Sequence, residues 1–275
     1  MNNIPVLMYH HINKVGSFIN VTPENFERQI GFLKKNSYQT LNVKDYIEIV
    51  EAQKDVPKKA VMITFDDGWL DNWVYAFPVL KRYGLKAVLF VVTSHIAEKG
   101  KRGRIDIGEA LELPVHEECQ KKIESGYGAE VMLSWEELKE MEGSGIIDIQ
   151  SHTHTHRKLH SLYQDPRKIM EVLMYELKTS KQIIEERLGK ECSAICWPWG
   201  IYNKEYIEAA KRCGYKLAFT TQKGINSPMT DPYRIKRIVI GNIGSFEFRY
   251  KLFFYSKRWL STPYLKLKNL GGSID

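Results

Sequence analysis

The sequence predicts an α/β fold whose parallel sheet closes into a barrel, and two observations predict it. Short, almost wholly apolar runs of strand length alternate with stretches that are apolar on one helical face only, the pattern of a parallel sheet buried under helices. The polar exceptions fall at one kind of place. His10, Asp66-Asp67, His152 and Trp197-Pro198 each stand just after an apolar run. In a parallel barrel the ends of the strands meet on one rim, where such folds keep their active sites. Seven or eight runs within 275 residues suit a single barrel domain.

Each element has its own signal. Residues 4–9 form a buried strand that ends at His10-His11, and Thr22-Pro23-Glu24 opens a helix with a threonine cap and a first-turn proline. Its buried face is Phe26, Ile30 and Leu33. Residues 38–41 make a short strand, and Asn42 caps a helix carrying Val43, Tyr46, Ile47 and Val50. Residues 60–65 are a strand, followed by a helix over about 72–83 that Pro78 should kink or break. Residues 87–92 are again wholly apolar.

From about 97 to 133 the period is lost, and Gly100, Gly103, Gly108, Gly126 and Gly128 punctuate a charged segment. It is too long for an ordinary connection and is read as an insertion or lid over the site. Ser134-Trp135-Glu136-Glu137 restarts regular structure with a capping box. The remaining strands are 146–150, 193–197, 217–220 and 235–240, with a long helix over 166–188 stopped by Gly189. The barrel thus occupies residues 1–244, and 245–275 form a tail.

Composition narrows the function. The balance of 40 Lys and Arg against 33 Asp and Glu, a net +7, lacks the clustered basic stripe that nucleic-acid binding wants, so nucleic acid is not an expected partner. Cys119, Cys192, Cys196 and Cys213 contain no CxxC pair and read as reduced thiols. No apolar run reaches the roughly 18–20 residues of a membrane span, and the N-terminus shows no signal peptide, so a cytoplasmic location is expected.

The chemistry concentrates at Thr64-Phe65-Asp66-Asp67-Gly68-Trp69. Two adjacent carboxylates repel each other, and along an extended strand they would face opposite ways. Both serve one site only where the chain turns, which Gly68 permits. A cation would reconcile them, one carboxylate binding it and the other staying free as a base. Ser151-His152-Thr153-His154-Thr155-His156 supplies three histidines in five residues. Two imidazoles and one aspartate leave an open position for water, the pattern of a hydrolytic metal site. By spacing alone, the pairs 152/154, 154/156 and 152/156 are all possible.

Thr64-Phe65-Asp66-Asp67-Gly68 and Ser151-His152-Thr153-x-x-His156 resemble the first two motifs of the polysaccharide (NodB-type) deacetylases, carbohydrate esterase family 4. Trp197-Pro198-Trp199-Gly200 resembles the third, and the similarity spans roughly residues 4–240. The resemblance implies a distorted (β/α)7-8 barrel and a metal-dependent hydrolase that removes N-acetyl groups from amino sugars in a polysaccharide or lipid-linked glycan precursor. It implies Asp67, His152 and His156 as ligands of a divalent metal, zinc before cobalt or nickel, and Asp66 as the general base. It also places an oxyanion-binding N–H at Trp199.

Two departures from the family pattern stand out. Cys196 occupies the position where the third motif usually begins with an arginine, and no histidine follows His160. His10, in Leu7-Met8-Tyr9-His10, is expected to be the acid, as in the permuted branch acting on poly-β-1,6-N-acetylglucosamine. Arg237 is expected to replace the missing arginine. Trp69, Trp197 and Pro198, with Trp199, are expected to contact the sugar, and His11, His154 and His160 to be rim or surface groups or supports for a ligand. The rival readings are a non-sugar amide hydrolase on the same metal site and a glycan-binding pseudoenzyme. The aromatic and basic residues of 245–268 are expected either to pack on the barrel or to touch a membrane peripherally.

Overall fold

Alternation along β5 (Ala60–Phe65) organises the computed structural model, which describes residues 3–109 and 111–256. The elements before it are β1 (Val6–Tyr9), β2 (His11–Ile12), β3 (Asn20–Val21), α1 (Pro23–Lys35), β4 (Gln39–Thr40) and α2 (Val43–Val50). After β5 come α3 (Phe77–Tyr83), β6 (Ala87–Val91), α4 (His116–Glu124), α5 (Trp135–Gly143) and β7 (Ile147–Ser151). The chain continues through α6 (Leu159–Leu162), α7 (Pro166–Leu188), β8 (Ala194–Cys196) and α8 (Lys204–Arg212). It then forms β9 (Leu217–Lys223), β10 (Ile235–Val239) and α9 (Ser245–Ser256).

The sheet order β1-β10-β9-β8-β7-β6-β5 is closed by a parallel pairing of β1 with β5, with Leu7 opposite Ile63, and β4 pairs with the start of β5. The result is a seven-stranded parallel barrel, a single domain. Met62 joins an inner cluster with Val88, Phe90, Cys196 and Phe219, whereas Ile63 and Phe65 belong to the layer between strands and helices. Val43, Tyr46 and Ile49 of α2 complete the inner cluster and plug one end of the barrel. The other end is left for polar groups.

Local signals set the boundaries and packing sets the fold. The Thr22 side chain accepts the Asn25 N–H at the start of α1, worth about 1 kcal/mol, while each buried Phe26, Ile30 or Leu33 contributes about 1.5–3 kcal/mol. The cap therefore chooses where α1 begins and burial decides that it docks. Capping boxes at Asn42/Asp45 and Ser134/Glu137 do the same for α2 and α5.

Three expectations need correcting or refining. Pro78 does not break its helix. A wide π-type turn over Asn72–Ala76 precedes it, the Phe77 N–H reaches back to the Asn72 carbonyl, and the proline sits in the first turn of α3, where its missing N–H costs little. Residues 97–133 are not aperiodic throughout, because α4 buries Cys119 against Trp69, Val131 and Met132. Arg102 fastens this stretch to Glu137 by two contacts of 2.7 and 2.6 Å, and Arg104 reaches Glu140 at 2.6 Å. In the tail, α9 buries Phe248, Leu252 and Tyr255, with Phe248 edge-on to Phe32 of α1 at 6.1 Å. The basic stretch from Lys257 to Lys268 lies outside the described residues.

Candidate active site

The strand that supplies the two aspartates ends in a left-handed turn. Asp66 still belongs to the sheet register, its N–H bonded to the Tyr9 carbonyl, but Asp67 has φ +75° and Gly68 φ +92°. A Cβ at Gly68 would stand 3.1 Å from Ile96 and 3.3 Å from Val91, so both conformation and space favour glycine. The turn sends Asp66 into the barrel and Asp67 to the rim.

A second left-handed turn follows β7. Thr153 and His156 have φ of +66° and +57°, and Glu176 of α7 holds the turn by accepting the N–H groups of His154 at 2.9 Å and Thr155 at 2.7 Å. His152 Nδ1 donates to the Cys196 carbonyl at 2.8 Å, which fixes the ring with Nε2 facing inward. His152 Nε2 lies 3.4 Å and His156 Nε2 3.6 Å from Asp67 Oδ1, and the two nitrogens are 3.2 Å apart. Burial pushes His156 down to about 4, with the charge of His152 adding to the effect, so its imidazole is neutral near pH 7. Burial opposes ionisation of Asp67, yet the His152 hydrogen bond and the neighbouring imidazoles hold it well below the usual carboxylate range. Two imidazole nitrogens and one carboxylate oxygen thus converge on one point. That donor set fits a divalent cation of the zinc kind. His154 turns away to the Thr93 hydroxyl at 2.9 Å, so geometry brings together the 152/156 pair.

Asp66 lies beside this cluster under different control. Arg237 is fully buried and grips it with two bonds of 2.7 Å, and its Nε–H donates to the Thr220 carbonyl at 2.9 Å. A register shift in the β9–β10 pairing between Ile235 and Arg237 accompanies the inward turn of this side chain. Burial would raise the Asp66 pKa, but the Arg237 charge and hydrogen bonds lower it below the ordinary value. Cys196, at the place of the missing arginine, accepts from Arg237 Nη2 at 3.0 Å. Asp66, His152 and Cys196 also lie close together, but Arg237 occupies both the carboxylate and the sulfur, and burial raises the thiol pKa. His10 Nε2 is 3.9 Å from Asp66 Oδ2, and the imidazole is 23% exposed at the rim.

The aromatic expectations fare unevenly. Trp199 is 54% exposed with φ +60°, its indole N–H reaches the His156 carbonyl at 3.3 Å, and Lys158 Nζ lies 3.9 Å over its ring. Trp69 and Trp197 are 2% and 1% exposed and Pro198 is buried, so they do not form a wall for a sugar. Beyond a strand end the two-residue alternation stops, and nothing in the sequence says which way an aromatic turns. His11 is likewise buried, not at the rim surface, with Nδ1 2.6 Å from Asp71. His160 stacks on Tyr206, away from the site. A cleft of about 450 Å³ opens beside His156 between Arg157, Lys158, Leu162 and Trp199. A cavity of about 520 Å³ at the opposite end of the barrel is lined by the Lys190–Glu142–Asp148 ion cluster and by none of these residues.

Sequence reasoning missed Glu176, the Cys196 carbonyl, and the contacts of Trp69 and His11. A glutamate within a long amphipathic helix looks like any solvated one, and a carbonyl has no side-chain signature.

A closed parallel barrel whose strand ends gather an Asp-His-His cluster beside an arginine-held aspartate defines the class of metal-dependent barrel hydrolases. Residues 53–218 match the profile described as Polysaccharide deacetylase. The chain is 32% identical over 235 residues to the putative polysaccharide deacetylase YxkH of Bacillus subtilis, covering 86% of this chain and 70% of that protein. It is 30% identical over 263 residues to the poly-beta-1,6-N-acetyl-D-glucosamine N-deacetylase of Staphylococcus epidermidis, covering 88% and 80%. Among solved structures, the Streptococcus pyogenes deacetylase PplD superposes with TM-score 0.73 at 27% identity, over 93% of this chain and 98% of that one. IcaB from Ammonifex degensii, at 21% identity, shares the fold with TM-score 0.69 over 94% and 98%. This chain belongs to the polysaccharide deacetylase family.

Proposed function

We propose that the protein is a divalent-metal-dependent N-deacetylase of N-acetylated amino sugars in a polysaccharide or lipid-linked glycan precursor. The observation that carries this reading is the convergence of Asp67, His152 and His156 beside an Asp66 kept ionised by Arg237. Asp67, His152 and His156 would hold the metal, zinc in our reading. Such an ion supplies Lewis acidity, lowering the pKa of water toward neutrality and polarising an acetamide carbonyl.

The chain's own groups divide the proton work. Asp66, ionised at neutral pH, takes the proton of the attacking water, and His10 delivers one to the departing amine nitrogen as the amide C–N bond breaks. Acetate and a free amino sugar result. Burial holds the His10 pKa below the ordinary imidazole value, with the charges of Asp66 and Asp67 opposing it only in part. The Trp199 backbone N–H is our candidate for the developing oxyanion, supported by its left-handed turn next to His156. The cleft between His156 and Trp199 is the proposed seat of the neighbouring sugar. We read the C-terminal segment as a peripheral membrane contact that brings the rim to a lipid-linked substrate. Supporting this are Phe246, 82% exposed, and the basic residues Arg249 and Lys251 on the same helix.

The test is acetate release from N-acetylglucosamine oligomers by chelator-treated protein and by protein re-supplied with zinc, cobalt or nickel. Acetate that returns only with metal is the expected result. A bound metal without acetate would move the reading to another amide, and neither would favour a glycan-binding pseudoenzyme.

A further inference from the structure

The two oxygens of Asp67 have different neighbours. Oδ1 faces His152 and His156, while Oδ2 accepts the indole N–H of Trp69 at 2.9 Å. Trp69 is itself enclosed. His11 stacks on its ring at 4.3 Å and 28°, and His116 of α4 meets it edge-on at 5.6 Å. The His11 ring is fixed at both nitrogens, Nδ1–H donating to Asp71 at 2.6 Å and Nε2 lying 3.0 Å from His116 Nδ1. Backbone bonds from Leu70 N–H to Val131 and from Leu133 N–H to Gly68 close the remaining side, and Cys119, Val131 and Met132 pack on the indole.

We propose that Trp69 is a positioning residue for the metal ligand Asp67, and that the Asp71–His11–His116 chain holds the indole that does so. This rests on the metal reading above and extends it to residues that touch neither substrate nor metal. With Oδ2 engaged by a donor that cannot leave, Asp67 presents Oδ1 alone to the two imidazoles, and its carboxylate cannot rotate. Residues 116–132, remote in sequence from every ligand, thereby act on the metal centre. A simpler packing role for Trp69 would need an aromatic ring there but no N–H.

Trp69→Phe keeps a ring in the pocket and removes the donor. Zinc affinity by chelator competition should fall by roughly 10–100-fold, the usual range for a lost partner of a metal ligand, with the melting temperature of the metal-free protein close to wild type. The visible absorption of the cobalt-loaded variant should change, because the carboxylate is free to turn. His116→Gln, which leaves the indole in place and loosens its clamp, should weaken zinc in the same direction by less. It also decides the matter if Trp69→Phe does not fold. Zinc affinity and cobalt spectrum unchanged in both variants would overturn the proposal while leaving the metal site intact. A wild-type protein that binds no metal would overturn the metal reading as well.

Discussion

At the scale of single residues, Asp66 and Asp67 are neighbours with opposite circumstances, and their surroundings explain why. Asp67 meets imidazoles and an indole N–H, whereas Asp66 meets a fully buried guanidinium. Removing one partner of such a buried pair leaves an uncompensated charge, at a cost of about 3–5 kcal/mol. Arg237→Ala should therefore lower stability by about that amount in denaturant titration at pH 7. Its acetate release should fall by roughly two to three orders of magnitude, comparable to loss of one preorganised charged contact. The sign of the pH effect follows from the depressed Asp66 pKa. In the wild type, the stabilisation from this pair is fully present above the unfolded carboxyl value of ~3.9 and is lost as pH falls through the lower folded one. Without Arg237, burial is opposed only by the weaker influence of His152 and His10, the carboxyl pKa rises, and the acid limb of the kcat/KM profile shifts to higher pH. An unchanged profile would remove Arg237 from the catalytic account. The sequence pointed to both aspartates because adjacent carboxylates after an apolar run demand a turn and a cation. It could not tell that Trp69 and Trp197 face inward, since that choice is made by packing.

At the scale of elements, the turn after β7 shows how a helix shapes the proposed metal site at a distance in sequence. Glu176 collects the His154 and Thr155 N–H groups and the Thr155 hydroxyl, holding residues 152–156 in a conformation with two left-handed non-glycine positions. Such positions are strained and persist only when their surroundings over-determine them. Glu176→Ala should relax the turn and weaken zinc by roughly tenfold or more, read by chelator competition, with secondary structure by circular dichroism unchanged. Affinity equal to wild type would mean that the backbone holds itself. Strands such as 60–65 and 87–91 were legible because both of their faces are buried, giving almost wholly apolar runs. Helix α4 was not, because it buries only Cys119 fully and its remaining residues are those of a charged loop. The break expected at Pro78 does not occur, because a wide turn that leaves no sequence mark places the proline in the first turn of α3.

At the scale of the whole molecule, barrel closure makes the distribution of the site along the chain intelligible. β1 lies between β10 and β5, so His10 at its end comes within 3.9 Å of Asp66 although 56 positions separate them in the numbering. The same closure lets Arg237, on the last strand, reach across to the place where Cys196 falls short. The barrel was legible from alternation and from polar residues at strand ends, but which strand closes on which was not, because register has no local signal. At this scale the proposed membrane contact of the C-terminal segment is also testable. The protein should sediment with anionic liposomes at low salt and less so at high salt, and no pelleting at low salt would exclude that contact. The account as a whole rests on the division of labour between the two aspartates. The most direct test measures zinc content and acetate release on the same preparations of Asp66→Asn and Asp67→Asn. We predict that Asp66→Asn keeps about one zinc per chain while losing nearly all turnover, and that Asp67→Asn loses both. Zinc lost from Asp66→Asn, or turnover retained by it, would contradict the account.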